Sequence, residues 1–168
     1  ASLDPPHVAR TDHAEIVRAS GQYLLFLNSG DFLISTDILL KVSSFLDGSI
    51  DLLYGNSVMR SKSMEKIRRP APNMRFSDFV MRRGPHHQSS FIKKKLFTEI
   101  GLYNENYKIL ADWEFFMKII FKYGKPIKYL PFNISCFDLT GLSSDEKNKG
   151  LLNSEKKQII QENIPNIA

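Results

Sequence analysis

Three short stretches carry residue types suited to chemistry. The first is Asn28-Ser29-Gly30-Asp31, which follows the apolar run Gln22 to Leu27. A carboxylate at the mouth of a buried strand can hold a divalent cation, because Mg²⁺ or Mn²⁺ needs only one or two protein carboxylates when phosphates supply the other ligands. The plainer alternative is an Asx-type turn in which Asp31 bonds only local backbone. The second stretch is Ala111-Asp112-Trp113-Glu114. An aspartate at a helix start can reach into a cleft as a general base, or it can simply cap the helix. Trp113 can stack on a sugar ring or a nucleobase, or it can join the core. The third stretch is Gly84-Pro85-His86-His87-Gln88. Neighbours on an extended segment point to opposite sides, so at most one of the two histidines can join Asp31 on a metal. Arg82 and Arg83 come just before and can neutralise a diphosphate. His7 and His13 have no evident partner and read as surface residues.

The elements that must position these residues follow from periodicity. A helix-like stretch leads the chain. Gln22 to Leu27 is a continuous apolar run, which predicts a strand buried on both faces. Ser35-Thr36-Asp37 predicts the cap of a helix with Ile38, Leu39, Val42, Phe45 and Leu46 on one face, closed by Gly48. Asp51 to Met59 reads as a strand, residues 60 to 75 as a basic loop, and Phe76 to Arg83 as a short helix. Gln88 to Ile92 reads as a strand and Lys93 to Ile100 as a short helix. Ala111 to Tyr123 is the most periodic helix, with Trp113, Phe116, Met117 and Ile120 at helical spacing. Ile127 to Phe137 is a strand that Pro131 places at an edge or a bulge. Asp145 to Glu162 is a polar helix docked by Leu151, Leu152, Ile159 and Ile160. Strands alternating with helices predict an α/β architecture. In such sheets ligands sit at the carboxyl ends of the strands, which is where the turn 28–31 falls.

Composition narrows the class. The 168 residues suffice for one domain, with residues 1–20 as lead-in, 21–142 as core and 143–168 as C-terminal helix. One cysteine, Cys136, rules out an internal disulfide and a cysteine-based zinc site. No stretch reaches the ~20 apolar residues of a membrane span, and the first residues lack an apolar core. The expected setting is cytoplasmic. The net charge of +5 is unevenly spread: residues 57–125 carry 15 basic and 6 acidic side chains, against 3 and 7 in residues 1–56. A basic middle suits a polyanionic ligand or an anionic surface, such as a membrane met peripherally from its inner face, or it is simply a solvated lysine-rich face.

The three stretches, in this order and context, resemble family 2 glycosyltransferases of the GT-A fold. Gly21 to Asp31, GQYLLFLNSGD, resembles that family's Gly-x-Tyr-x-x-Phe-Leu-(Asp/Asn)-Ser-x-Asp signature. His86 to Ile120 resembles the second signature, which ends in Ala-Asp-aromatic-Glu at a helix start. Phe137 to Asp145, FDLTGLSSD, resembles the segment that follows in bacterial members. The resemblance implies a GT-A-like mixed sheet flanked by helices. It is incomplete at its N-terminal side, because nothing here corresponds to the βαβ portion that holds base and ribose. The chain then reads as a C-terminal portion that binds nucleotide poorly alone, and the sheet edge left by the missing strands favours a homodimer.

Carried over by residue, the diphosphate and metal motif falls on Asn28, Ser29 and Gly30, followed by Asp31. Asn28 and Gly30 stand where carboxylates are usual, so Asp31 is the metal-ligand candidate for Mn²⁺ or Mg²⁺. The catalytic base falls on Asp112, with Ala111 where an acidic residue is usual. His87 and Gln88 fall on the donor side with Arg82 and Arg83; Trp113 and Glu114 fall on the acceptor side. The implied reaction moves a sugar from a nucleoside-diphosphate donor, a UDP-sugar first, to the hydroxyl of a glycan or lipid-linked acceptor, with inversion. The expected process is bacterial polysaccharide or cell-envelope glycan synthesis, without nucleic acid. Two alternatives stand beside it: a non-catalytic module for anionic ligands or nucleic acid, and a metal-dependent phosphoryl-transfer or hydrolytic enzyme using Asp31 and His87.

Overall fold

The computed structural model describes residues 8–61, 63–138 and 148–164, with side chains in the leading helix described from His13 onward. The elements run α1 (Val8–Arg18), β1 (Tyr23–Leu24), β2 (Phe32–Leu33), α2 (Ile38–Ser43), β3 (Leu52–Arg60), β4 (Glu65–Arg68), α3 (Phe76–Asp78), β5 (Ser90–Lys93), α4 (Leu96–Glu99), α5 (Ala111–Met117), β6 (Ile127–Asp138) and α6 (Lys149–Asn163). The sheet order is β1-β5-β3-β6-β2, with β4 also beside β3.

The central strand is β3. It runs parallel to β6 along its whole length, and antiparallel to β5 over Leu52–Tyr54 and to β4 over Ser57–Arg60. Alternation along the strands feeds two cores. Leu52, Tyr54 and Ile92 face the layer built by α1, α4, α5 and α6, where Phe97, Phe115, Phe116 and Ile159 are buried. Leu53, Phe91, Leu130 and Ile134 face Ile38 and Val42 of α2. The Phe97 and Phe115 rings stack at 4.7 Å and 9°. Each fully buried side chain of this kind contributes about 2–3 kcal/mol by leaving water. The four phenylalanines at 91, 97, 115 and 116 are therefore core and take no part in base stacking, while Phe32 and Tyr123 stay exposed.

The mixed α/β expectation holds, with differences of detail. The run 22–27 pairs only through Tyr23 and Leu24, against β5 at the end of the sheet, so it is not a strand buried on both faces. Leu39 points to solvent at 54% exposure, because α2 buries only its Ile38 and Val42 stripe. Part of the basic loop 60–75 is β4, whose Lys66, Ile67 and Arg68 pair with β3. Pro131 marks a bulge: the β3–β6 register shifts between Gly55 and Ser57. Helix α5 continues through a widened turn at 118–122, closed by Tyr123 N–H donating to the Lys118 carbonyl at 2.9 Å. His13 is not a free surface residue, since its Nε2 lies 2.8 Å from the Tyr103 carbonyl and its Nδ1 lies 3.1 Å from Glu105. His7 and most of the 137–145 segment lie outside the described residues. No helix among the described residues is long and apolar enough to cross a membrane.

Candidate active site

The site is built around a single turn at His87–Ser89, entering β5. Its anchor is a buried hydroxyl chain. Ser57 on β3 donates to Ser89 Oγ at 2.8 Å, and Ser89 Oγ lies 2.6 Å from Ser135 Oγ on β6. Small hydroxyl side chains satisfy one another where a larger group would not fit, and so fix the turn on the sheet. Behind it, Gly84 faces the Phe79 ring, where a Cβ would come within 2.8 Å of the ring carbon Cδ2. That close approach demands glycine and sets the direction in which Pro85, His86 and His87 leave.

With the turn fixed, the three stretches meet. Asn28 Nδ2 donates to His87 Nε2 at 3.2 Å, and His87 Nδ1 donates to Asp112 Oδ2 at 2.7 Å. The amide nitrogen can only donate, so Nε2 accepts and the proton sits on Nδ1. Asp112 Oδ1 takes the Trp113 backbone N–H at 2.7 Å. Burial pushes the Asp112 carboxyl up, but the hydrogen bonds from His87 Nδ1–H and the Trp113 backbone N–H outweigh it, so its pKa lies below the ordinary value. Asp112 is thus an ionised carboxylate whose side chain is one-third exposed, 33%, and open to a substrate hydroxyl.

The 28–31 turn is self-bonded, as an Asx turn would be. Asp31 N–H donates to the Asn28 carbonyl at 3.0 Å, and Asn28 N–H donates to Asp31 Oδ2 at 3.1 Å. Asp31 Oδ1 makes no hydrogen bond to the described residues. Among the described residues no three His, Cys, Asp or Glu side chains gather as a metal cage. A hard cation fits only in the sense that Asp31 Oδ1 supplies one oxygen and a substrate's phosphates supply others.

The other predicted residues are dispersed around this cluster. Gln88 is 8% exposed within the turn. Arg83 is paired with Asp78 at 2.8 Å. Arg82 is exposed and sits in left-handed backbone at φ 64. Trp113 stacks on Phe79 at 4.7 Å and 25°, so one face of its ring is already covered. Glu114 is 2% exposed, with Oε1 held by Lys118 at 2.6 Å, which turns it into the interior and away from a surface that an acceptor would touch.

Two residues at the site, Glu155 and Arg68, take no site role from sequence, and His86, a candidate there, is placed differently. Glu155 of α6 is buried, and its carboxylate accepts the backbone N–H groups of Lys108 at 2.7 Å, Ile109 at 3.1 Å and Leu110 at 3.0 Å, just before Asp112. Arg68 is half-buried near Asp112 and His86, and desolvation pushes it down to about 10. His86 is held neutral: burial, then the charge of Arg68, sets its pKa well below 6.5. The basic count marked Arg68 as part of a cluster, but no spacing rule ties Glu155 to a loop 45 residues earlier.

No family model matches the chain. Over 137 residues it is 31% identical to a PGL/p-HBAD biosynthesis glycosyltransferase of Mycobacterium bovis, covering 80% of this chain and 52% of that protein. An uncharacterized glycosyltransferase of Mycobacterium tuberculosis is 29% identical over 135 residues, covering 77% and 49%. The chain spans about half the length of the curated relatives it matches. Among solved structures it superposes on S. aureus TarS 1–349 in complex with UDP-GlcNAc, with a TM-score of 0.66 at 15% identity, covering 98% of this chain and 50% of that one. The same protein in complex with UDP gives 0.66 at 16%. At that identity the likeness is one of fold, and it matches the mixed sheet flanked by helices.

Proposed function

We propose that this chain serves a glycosyltransferase that moves a sugar from a nucleoside-diphosphate donor, a UDP-sugar first, to an acceptor hydroxyl with inversion, in cell-envelope glycan synthesis. The observation that carries the reading is the Asn28–His87–Asp112 chain of hydrogen bonds, which joins a donor-side turn to an ionised carboxylate. The glycosyltransferase names of the relatives and the UDP ligands of the TarS structures support it.

In this mechanism Asp112 accepts the acceptor hydroxyl's proton while that oxygen attacks the anomeric carbon, and the bond from that carbon to the nucleoside diphosphate breaks. The acceptor proton goes to the carboxylate and the electron pair leaves with the diphosphate. His87 keeps Asp112 in one rotamer and ionised, so the base is ready at neutral pH. Asn28 holds the other imidazole nitrogen and keeps the tautomer in which Nδ1 carries the proton. A divalent cation, if bound, would sit on Asp31 and offset charge on the leaving diphosphate.

Calorimetric titration with UDP, with and without Mn²⁺, tests the reading on wild type and on Asp31→Ala. Weak, saturable UDP binding that Mn²⁺ strengthens, and that weakens further in Asp31→Ala, is expected. Absence of UDP binding, together with release of inorganic phosphate from phosphate esters, would contradict the reading and favour hydrolysis.

A further inference from the structure

Three cations gather near Asp112 and the Trp113 ring. Arg68 projects from the end of β4, opposite Ser57 of β3. Its Nη2 donates to the Arg82 carbonyl at 2.7 Å, while its buried Nε has no partner. Arg82 sits at φ 64, a conformation that a residue with a Cβ adopts only when its surroundings impose it. Lys156 of α6 lies over Trp113 at 5.9 Å and donates to the Val80 carbonyl. Among the described residues none of the three forms an ion pair, although Arg83 next door is neutralised by Asp78. They lie close enough to disfavour one another's charge: Arg82 weighs on both Arg68 and Lys156. Asp112 is the one carboxylate whose charge is felt by Arg68. His86, also beside it, keeps a buried Nδ1 without a partner and is neutral.

Like charges gathered in a partly desolvated place are unfavourable unless something anionic completes them. An unpartnered guanidinium N–H such as Arg68 Nε fits a phosphate oxygen. The donor-side turn at 28–31 reaches Asp112 only through the far nitrogen of His87, whereas Lys156 lies over the ring of Trp113, the residue next to Asp112. We infer that Arg68, Arg82 and Lys156 form a phosphate-binding subsite for the acceptor, so that the acceptor bears a phosphate group close to the hydroxyl that reacts at Asp112. This rests on the transferase reading above and names its acceptor class. The subsite would orient the hydroxyl over the carboxylate, and the left-handed Arg82 carbonyl would keep Arg68 aimed at it.

The test is a calorimetric titration with inorganic phosphate, alone and at saturating UDP, on wild type, Arg68→Gln, Arg82→Gly and Lys156→Gln. Arg82→Gly matters because glycine accepts the positive φ, so this variant keeps its fold while losing a cation. The expected result is saturable phosphate binding by wild type, unchanged within about twofold by UDP. Each variant should lose about tenfold in phosphate affinity, and UDP affinity should hold in Arg68→Gln and Lys156→Gln. Phosphate binding that survives both Arg68→Gln and Arg82→Gly would overturn the inference. So would wild type showing no saturable phosphate binding, or competition between phosphate and UDP, which would assign the cations to the donor's diphosphate. Phosphate binding lost in the variants, in a wild type that ignores UDP, would support the anion subsite and contradict the transferase reading, so the two fail separately.

Discussion

His87 Nδ1 lies 2.7 Å from Asp112 Oδ2, and this contact joins a turn entering β5 to the first turn of α5 across 25 residues. It opposes the effect of burial on the carboxylate, and that balance can be tested. In His87→Phe the burial penalty on Asp112 is left without its main offset, so the carboxyl should titrate above its wild-type value. The sign for stability follows from linkage. A depressed carboxylate stabilises the fold above its unfolded value of 3.8 and loses that contribution as pH falls through the folded value. His87→Phe should therefore flatten the acid limb of stability against pH below pH 3.8. An Asp112 titration, by carboxyl NMR, that does not move would mean the contact does not govern the charge.

Glu155 bonds three backbone N–H groups that lead into Asp112. Glu155→Gln turns an amide NH₂ toward at least one of those donors, so about 2–3 kcal/mol of stability should be lost. Chemical denaturation measures the loss. Because the segment carries the proposed base, kcat should fall more than donor affinity. Equal stability of Glu155→Gln and wild type would show that the clamp carries little energy.

Arg82 in left-handed backbone costs of order 1 kcal/mol relative to glycine. Arg82→Gly should raise the thermal midpoint by a few degrees, since ~1 kcal/mol corresponds to a few degrees for a domain this size. A lower midpoint would mean that the Arg82 side chain stabilises the turn by more than its backbone strain.

His86 is neutral in the fold, with its pKa well below 6.5. The unfolded chain takes up a proton near that ordinary value, while the native ring does not. Stability is then full above pH 6.5 and falls as pH drops below it, by up to about 1.4 kcal/mol per pH unit until the folded value is reached. His86→Gln should remove that component of the slope between pH 6.5 and the native titration. Denaturation midpoints measured at intervals across that range decide it, and an unchanged slope would assign it to other groups.

Much of this was legible in the residues. Periodicity located β3, β5, β6, α5 and the core phenylalanines, because apolar spacing records which face is buried. The motif blocks marked Asn28, His87 and Asp112, which the fold brings into one hydrogen-bonded chain. What escaped depends on contacts between distant segments. Strand β4 reads as a loop because Glu65 and Lys66 are exposed and only its pairing with β3 makes it a strand. Glu114 looks like part of a surface motif, yet α5 turns it inward onto Lys118. Trp113 looks available for stacking, yet Phe79 already occupies one face. Glu155 sits in a polar helix whose docking residues are apolar, so nothing local distinguishes it from its solvated neighbours.

The most direct test of the central claim is UDP release from UDP-sugar donors, measured for the wild-type protein and for Asp112→Asn, which keeps size and loses the base. The account predicts that the intact sugar is transferred and UDP released by wild type. In Asp112→Asn turnover should fall by about 10²–10⁴-fold with UDP affinity unchanged. Turnover by Asp112→Asn at the wild-type rate would contradict the account.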